Sequence, residues 1–279
     1  MIVNKKIGLG TVQFGLPYGI SNSRGQTSPY EVKNILYRAK QHEIDVLDSA
    51  SAYGNAEEVL GKNDLQEFKV VSKFVPPSPG ESVAIQLEQS LRNLKLKKLY
   101  AYLAHRPSDL VDHPERWEEL KNLKKVGKVL KIGFSLNEPY ELEELMDKGY
   151  EPDLVQVPYN YFDRRFEESL VRLHESGCEI HTRSTFLQGL FFMDPENLGV
   201  FFDQIKPTLF ELQEKRSMLP GQLIKFVIEK PFIDKIILGI ETEKQLIENI
   251  NSIEPALSLP PLKGIISDNL LIPSKWPKN

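Results

Sequence analysis

A chain of 279 residues, 41% hydrophobic and 27% charged, can bury a large core within one domain. Its formal net charge of -4 gives no electrostatic reason to expect nucleic acid or an anionic membrane as a partner. The single cysteine, Cys178, excludes an internal disulfide. The opening MIVNKKIGLG lacks an apolar signal core, and no stretch approaches the roughly 18 apolar residues of a membrane span, so the expected compartment is the cytoplasm.

Along the chain, short β-rich apolar runs recur. KKIGLGT (5–11) comes first, followed by SPYEVKNILYRAKQ, a helical pattern with Ser28 as cap, Pro29 at the first helical position and Glu31 in capping-box register. Its Val32, Ile35, Leu36 and Ala39 repeat at helical spacing. IDVLDS (44–49), FKVVSKF (68–74) and LYAYLAH (99–105) come next. PERWEELKNLKKVG then supplies Trp117, Leu120 and Leu123, read as helix–sheet packing. After VLKIGFS (129–135) and PDLVQVP (152–158), EESLVRLHESG is a helix ending at a glycine. The seventh run, GCEIHTRS (177–184), opens with Cys178 as a small buried apolar residue. A longer gap follows, in which FFDQIKPTLFELQEKR carries an extra helix. DKIILGI (234–240) is the eighth run, and TEKQLIENI places Thr242 and Gln245 in capping-box register. The lysine clusters around 95–98 and 124–128 sit among acids in helical patterns and read as solvated faces.

Eight strand–helix repeats without a dividing linker predict a single-domain (β/α)8 TIM barrel over residues 1–279, with its active site where the strands end. A doubly wound sheet would want a GxGxxG first turn; GLGTVQFGLPYG has glycines at the wrong spacing.

Four ionisable residues stand at adjacent strand ends: Asp48 and Tyr53 after the second, Lys73 in the third and His105 after the fourth. A free tyrosine, with a pKa near 10, is a poor acid at neutral pH. A lysine ammonium favours its phenolate, and an aspartate keeps that ammonium charged and placed. A neutral histidine can point N–H at a substrate oxygen. The set suits protonation of a carbonyl oxygen while hydride arrives at carbon. Five histidines and one cysteine show no metal-ligand spacing, and no GxSxG elbow is present, so no metal is expected.

With GLGT, LDSASAYGNAEEVLG, VVSKF, LAHRP, GFS, LVQVPYN and LGIETEKQLIEN in order, the sequence resembles the aldo/keto reductases over nearly its whole length. The resemblance implies a barrel that binds NADPH, less often NADH, and a small aldehyde or ketone substrate. It implies Tyr53 as general acid, Lys73 and Asp48 as the pair that tunes it, and His105 as the residue orienting the carbonyl. Asp48 also falls beside the nicotinamide ribose, with Gly10 and Thr11 at the same end. Ser135 and Gln156 match residues that hold the carboxamide, and Ser184 and Gly189 fall in the pyrophosphate stretch. Gly239, Gln245, Glu248 and Asn249 fall in the adenosine segment.

Three departures stand out. Ser135 is followed by Leu136 where the family carries asparagine, so that contact is expected to be either missing or supplied by Asn137. Arg183 stands where an aromatic usually stacks on the nicotinamide; it is expected to stack there, or else Arg183 or Arg24 is expected to meet an acidic group on the substrate. Glu241 and Gln245 replace the usual cations around a 2′-phosphate, so the expected cofactor is NADP with NAD also admitted. Tyr159, Asn160, Tyr161 and Phe162, with Phe14 and Tyr18, raise the expectation of a sugar-like substrate. The short tail LLIPSKWPKN predicts an open pocket, with Trp276 on the barrel or near its rim. Rival readings are a nicotinamide-binding sensor without catalysis and a barrel isomerase or aldolase using Lys73 and His105. A monomer or weak homo-oligomer is expected.

Overall fold

The computed structural model describes residues 4–214 and 217–277. Eight parallel strands close into a barrel in chain order: β1 (Ile7–Gly10), β2 (Val46–Asp48), β3 (Lys69–Phe74), β4 (Leu99–Ala104), β5 (Val129–Ser135), β6 (Leu154–Pro158), β7 (Glu179–Arg183) and β8 (Lys235–Gly239). Each of the eight apolar runs contains one of them. Register sets the rim: Gly10 stands opposite both Asp48 and Gly239, and Ser135 opposite Gln156.

The strands are apolar on consecutive residues because both sheet faces are covered. Val46, Val71, Ala101, Leu103, Leu154 and Ile237 form one cluster and fill the barrel's interior. Their neighbours Leu47, Val70 and Tyr102 join Ile7 and Leu9 beneath the helices, as the period of two requires.

The helix Pro29–Gln41 starts as its sequence predicts: Ser28 Oγ accepts the Glu31 N–H at 3.3 Å, and Val32, Ile35, Leu36 and Ala39 are buried. The reciprocal half of that capping box does not form. The Glu31 carboxylate instead accepts the Glu243 N–H at 2.5 Å, joining this helix to Glu243–Ile253, its neighbour around the closed ring. There Thr242 Oγ1 accepts the Gln245 N–H at 3.1 Å, while the Gln245 side chain accepts from Glu241 N–H at 2.7 Å, one residue ahead of the cap. Trp117, Leu120 and Leu123 are buried on Glu115–Lys125, with Trp117 stacked on Tyr150 at 5.1 Å. Cys178 is buried, and burial pushes its thiol up to about 12.

The long connection from β7 to β8 contains helices Lys206–Gln213 and Leu219–Ile228. Residues 215 and 216 of the expected extra-helix stretch lie outside the described residues, as do 278 and 279 of the tail. Leu190, Phe191, Leu209 and Leu223 build a second apolar cluster there, and Leu270 and Trp276 of the tail close it. Trp276 meets Phe202 edge-on at 5.4 Å and donates Nε1–H to Leu270 O at 3.0 Å. It packs the insertion.

At the N-terminal end of the barrel, charges are paired with one another. Asp45 accepts Lys69 at 2.9 Å and Lys235 at 2.5 Å. Glu179 accepts His181 Nε2–H at 2.7 Å, the Tyr100 hydroxyl at 2.5 Å and the Lys131 ammonium. Burial disfavours the Glu179 charge, but these donors outweigh it and hold the carboxyl well below the usual range.

Candidate active site

The C-terminal rim opens into a cleft of about 490 Å3. Asp48, the last residue of β2, and Lys73, in β3, are buried beneath it and joined at 2.7 Å. Lys73 Nζ also donates to Ser49 O at 2.9 Å, and Gln156 Nε2 donates to Asp48 Oδ1 at 2.7 Å. A buried ion pair survives only when its remaining donors and acceptors are filled in this way. The ammonium lies 5.1 Å from the centre of the Tyr53 ring. Tyr53 in turn meets the His105 ring edge-on, with centres 5.7 Å apart. Four residues from three strand ends thus form one contiguous group.

His105 is neutral. Burial lowers its pKa first, and the positive charges of Lys73, Arg183 and Arg106 lower it further, to about 3. An imidazole in that state keeps one N–H to donate and one nitrogen to accept.

The position of Tyr53 is set from below. A Cβ on Gly15, in the turn after β1, would stand 1.8 Å from Tyr53 O and 2.6 Å from Ala56 N. Only a glycine lets this backbone pass so close to the tyrosine's loop.

Gly10, Thr11, Asp48 and Ser135 line the cleft, as do Arg183, Ser184, Gly189, Gly239 and Gln245. Gln156 lies behind Asp48, fully buried, and its Oε1 finds no partner among the described residues. Glu248 and Asn249 are not in the lining. Glu248 pairs with exposed Lys244 at 3.6 Å, and Asn249 is buried on its helix. Lys244 therefore adds no cation to the cleft, and Glu241 and Gln245 are the lining residues at that end. Burial raises the Glu241 carboxyl, opposed by Arg24.

Leu136 turns into the core and Asn137 lines the cleft. Arg183 reaches across to them: its Nη2 donates to Leu136 O at 2.9 Å and to Asn137 Oδ1 at 2.5 Å, and Nη1 donates to Ser184 Oγ at 3.3 Å. All three partners are neutral.

The cleft also holds residues that sequence reasoning passed over. Gln13 and Thr185 line it, each with a buried oxygen that has no hydrogen-bond partner among the described residues. Such oxygens fit a ligand rich in polar groups. Arg106 lines it too, and its place directly after His105 in a strand-end motif was the available signal. Tyr18 and Gln188 join over the mouth, Gln188 Nε2 donating to Tyr18 Oη at 2.8 Å. Gly189, at φ +92°, lies so close to Ser21 that a Cβ would stand 2.0 Å from its Oγ.

Most aromatics that raised the sugar expectation are elsewhere. Tyr159, Tyr161, Phe162 and Phe14 are buried and absent from the cleft lining, as is Asn160. The Tyr159 hydroxyl serves Glu167 at 2.7 Å and that of Tyr161 serves Pro260 O at 2.8 Å. Their polar tips satisfy internal acceptors, so a loop rich in aromatics and amides packs inward. Tyr18 alone of the set lines the mouth.

Comparison with known proteins agrees with this architecture. The chain is 27% identical over 183 residues to the aldo-keto reductase YhdN of Bacillus subtilis (strain 168), a match covering 60% of this chain and 53% of that protein. It thus spans about half the length of that relative. It is 32% identical over 121 residues to glyoxal reductase of the same organism, covering 41% of this chain and 44% of that one. The holo structure of aldo-keto reductase AKR11C1 from Bacillus halodurans superposes with a TM-score of 0.72 at 22% identity, over 91% of this chain and 88% of that one. That likeness shows the same fold. Residues 6–260 match the sequence pattern of the Aldo/keto reductase family, and the chain belongs to that family.

Proposed function

We propose that this protein reduces an aldehyde or ketone, with Tyr53 as general acid. A reduced nicotinamide dinucleotide, when bound, supplies the hydride. Tyr53 gives its hydroxyl proton to the carbonyl oxygen, and the Lys73 ammonium, fixed by Asp48, stabilises the phenolate that remains. Neutral His105 donates N–H to the same oxygen and orients it. The observation that carries this reading is the chain of contacts Asp48–Lys73–Tyr53–His105 at the cleft floor. A Schiff-base reaction at Lys73 has less support, because that ammonium is fully buried and bonded to Asp48 and Ser49.

Gly10, Thr11, Ser135, Ser184, Gly189, Gly239 and Gln245 are the residues assigned to the cofactor, with Gln13 and Thr185 offering further polar contacts. NADPH is the first choice by family. Glu241 in place of a cation argues for weak discrimination against NADH. A sugar-like substrate keeps only Tyr18 of its aromatic support, so the reading stays at aldehyde or ketone.

The test is oxidation of NADPH and NADH with a panel of aldehydes, for the parent and Tyr53→Phe. Turnover is expected in the parent and a loss of roughly 10^2–10^4 in the variant, with cofactor binding retained by fluorescence titration. Cofactor binding without turnover in the parent would replace the reductase with a nicotinamide-binding sensor.

A further inference from the structure

The charges around the reacting end of the cleft do not cancel. Asp48 and Lys73 neutralise each other at 2.7 Å, and His105 carries no charge. Glu241 lines the opposite end, where Gln245 bonds its backbone N–H. What remains is two guanidinium groups. Arg183 enters from the end of β7, and Arg106 follows His105 at the end of β4.

Among the described residues neither arginine has an anionic partner. The Arg183 bonds to Leu136 O, Asn137 Oδ1 and Ser184 Oγ engage three of its five N–H donors and leave the charge uncompensated. The Arg106 side chain is exposed and makes no hydrogen bond or ion pair among the described residues. At the other end of the same barrel Lys69, Lys131 and Lys235 are each held by a carboxylate. Unpaired cations in a concave, low-dielectric site focus a positive potential, and arginine's planar fork matches carboxylate and phosphate oxygens.

Arg183 is fastened to the end of β5, beside Ser135, and its charge acts on both His105 and Tyr18. Both guanidinium charges therefore reach the region where a carbonyl would face Tyr53.

We propose that the substrate is a carbonyl compound bearing an oxyanion, a carboxylate or a phosphate, held by Arg183 and Arg106 from two sides of the mouth while its carbonyl faces Tyr53 and His105. This rests on the reductase reading and narrows it to acidic aldehydes or ketones. Arg183 and Arg106 determine specificity, and Tyr53 performs the proton transfer.

Two matched pairs test it: 4-carboxybenzaldehyde against benzaldehyde, and glyceraldehyde 3-phosphate against glyceraldehyde, each with NADPH and with NADH. The quantity read is the ratio of kcat/KM within a pair. A charge-assisted contact predicts a preference of about tenfold or more for at least one acidic member, expressed mainly in KM. Arg183→Gln and Arg106→Gln should each lower that ratio about tenfold. The pair showing the preference identifies the oxyanion. Ratios near one in both pairs, or ratios unmoved by both substitutions, overturn the proposal and leave the reductase intact. A weakened NADPH affinity in Arg183→Gln with the ratio unchanged also overturns it, because the guanidinium then serves the cofactor's phosphates. Should no aldehyde turn over, the reductase reading fails, and binding decides the oxyanion site. Titration of the apo protein by NMR should then show 4-carboxybenzaldehyde binding about tenfold tighter than benzaldehyde, a difference lost in Arg106→Gln at its exposed position; equal binding overturns the proposal.

Discussion

The two ends of this barrel use the same residue types to opposite effect. At the N-terminal end Asp45 and Glu179 each collect two or three donors, and Lys69, Lys131 and Lys235 are consumed in pairs. At the C-terminal end one buried pair, Asp48–Lys73, is saturated, while Arg106 and Arg183 keep their charges available. Pairing stabilises the closed sheet; leaving charge unpaired prepares a surface for a ligand. Stability and function are thereby divided along the barrel axis, as in other (β/α)8 proteins.

The division is broken most severely by Lys73→Met. It leaves Asp48 buried and uncompensated and should cost about 3–5 kcal/mol in urea denaturation, with loss of turnover. Lys131→Met at the opposite end leaves Glu179 with Tyr100 and His181. About 2 kcal/mol of stability should go, with kcat/KM within twofold of the parent. A large fall in kcat/KM there would show that the two ends are coupled.

Acid titration separates the ends by pH window. His105 stays neutral in the folded protein down to about pH 3, whereas an unfolded histidine takes up its proton near 6.5. Between those values the unfolded state binds more protons, so stability falls as pH drops from about 6.5 toward 3. Glu179, held below the ordinary 4.5, has the same sign in a lower window: its contribution is present above 4.5 and lost as pH falls beneath it. Thermal unfolding against pH should therefore show His105→Gln flattening the limb between 6.5 and 4.5, and Glu179→Gln changing only the part below. An unaltered upper limb in His105→Gln would contradict the neutral imidazole.

The smallest effect concerns the cofactor. Glu241→Gln removes an acid from the end of the cleft proposed for the adenosine and should tighten NADPH by about threefold to tenfold with NADH unchanged, read by fluorescence titration. An equal gain for both cofactors would show that Glu241 does not face the 2′-phosphate.

The barrel was legible because its grammar is local: apolar runs, caps and a regular period. Asp48, Tyr53, Lys73 and His105 were legible because each follows an apolar run at a rim that register makes common. What escaped depends on loops that meet only in three dimensions. Tyr18 and Gln188, 170 positions apart, bond across the mouth, and no periodicity announces such a pair. Gln13 and Thr185 look like ordinary loop residues until the fold sets them in the cleft lining, each with a buried oxygen that has no partner among the described residues. The aromatic loop after β6 misled for a related reason. Tyr159 and Tyr161 have internal acceptors in Glu167 and Pro260, the second of them 99 positions away, where no local pattern reveals it.

The passage of Gly15 beneath the Tyr53 loop sets a limit on how this barrel can be remodelled. Residues 17–26 meet the frame through Tyr18 on Gln188, Ser21 against Gly189 and Gln26 on Phe14 O and Asn55 Oδ1, so a loop that keeps those contacts can be exchanged in to recruit a different substrate. Residues 11–16 have no such freedom. A methyl group at position 15 shifts the phenol relative to its ammonium before it touches any ligand. Grafts that respect that boundary inherit the proposed acid in place, and grafts that cross it must rebuild one.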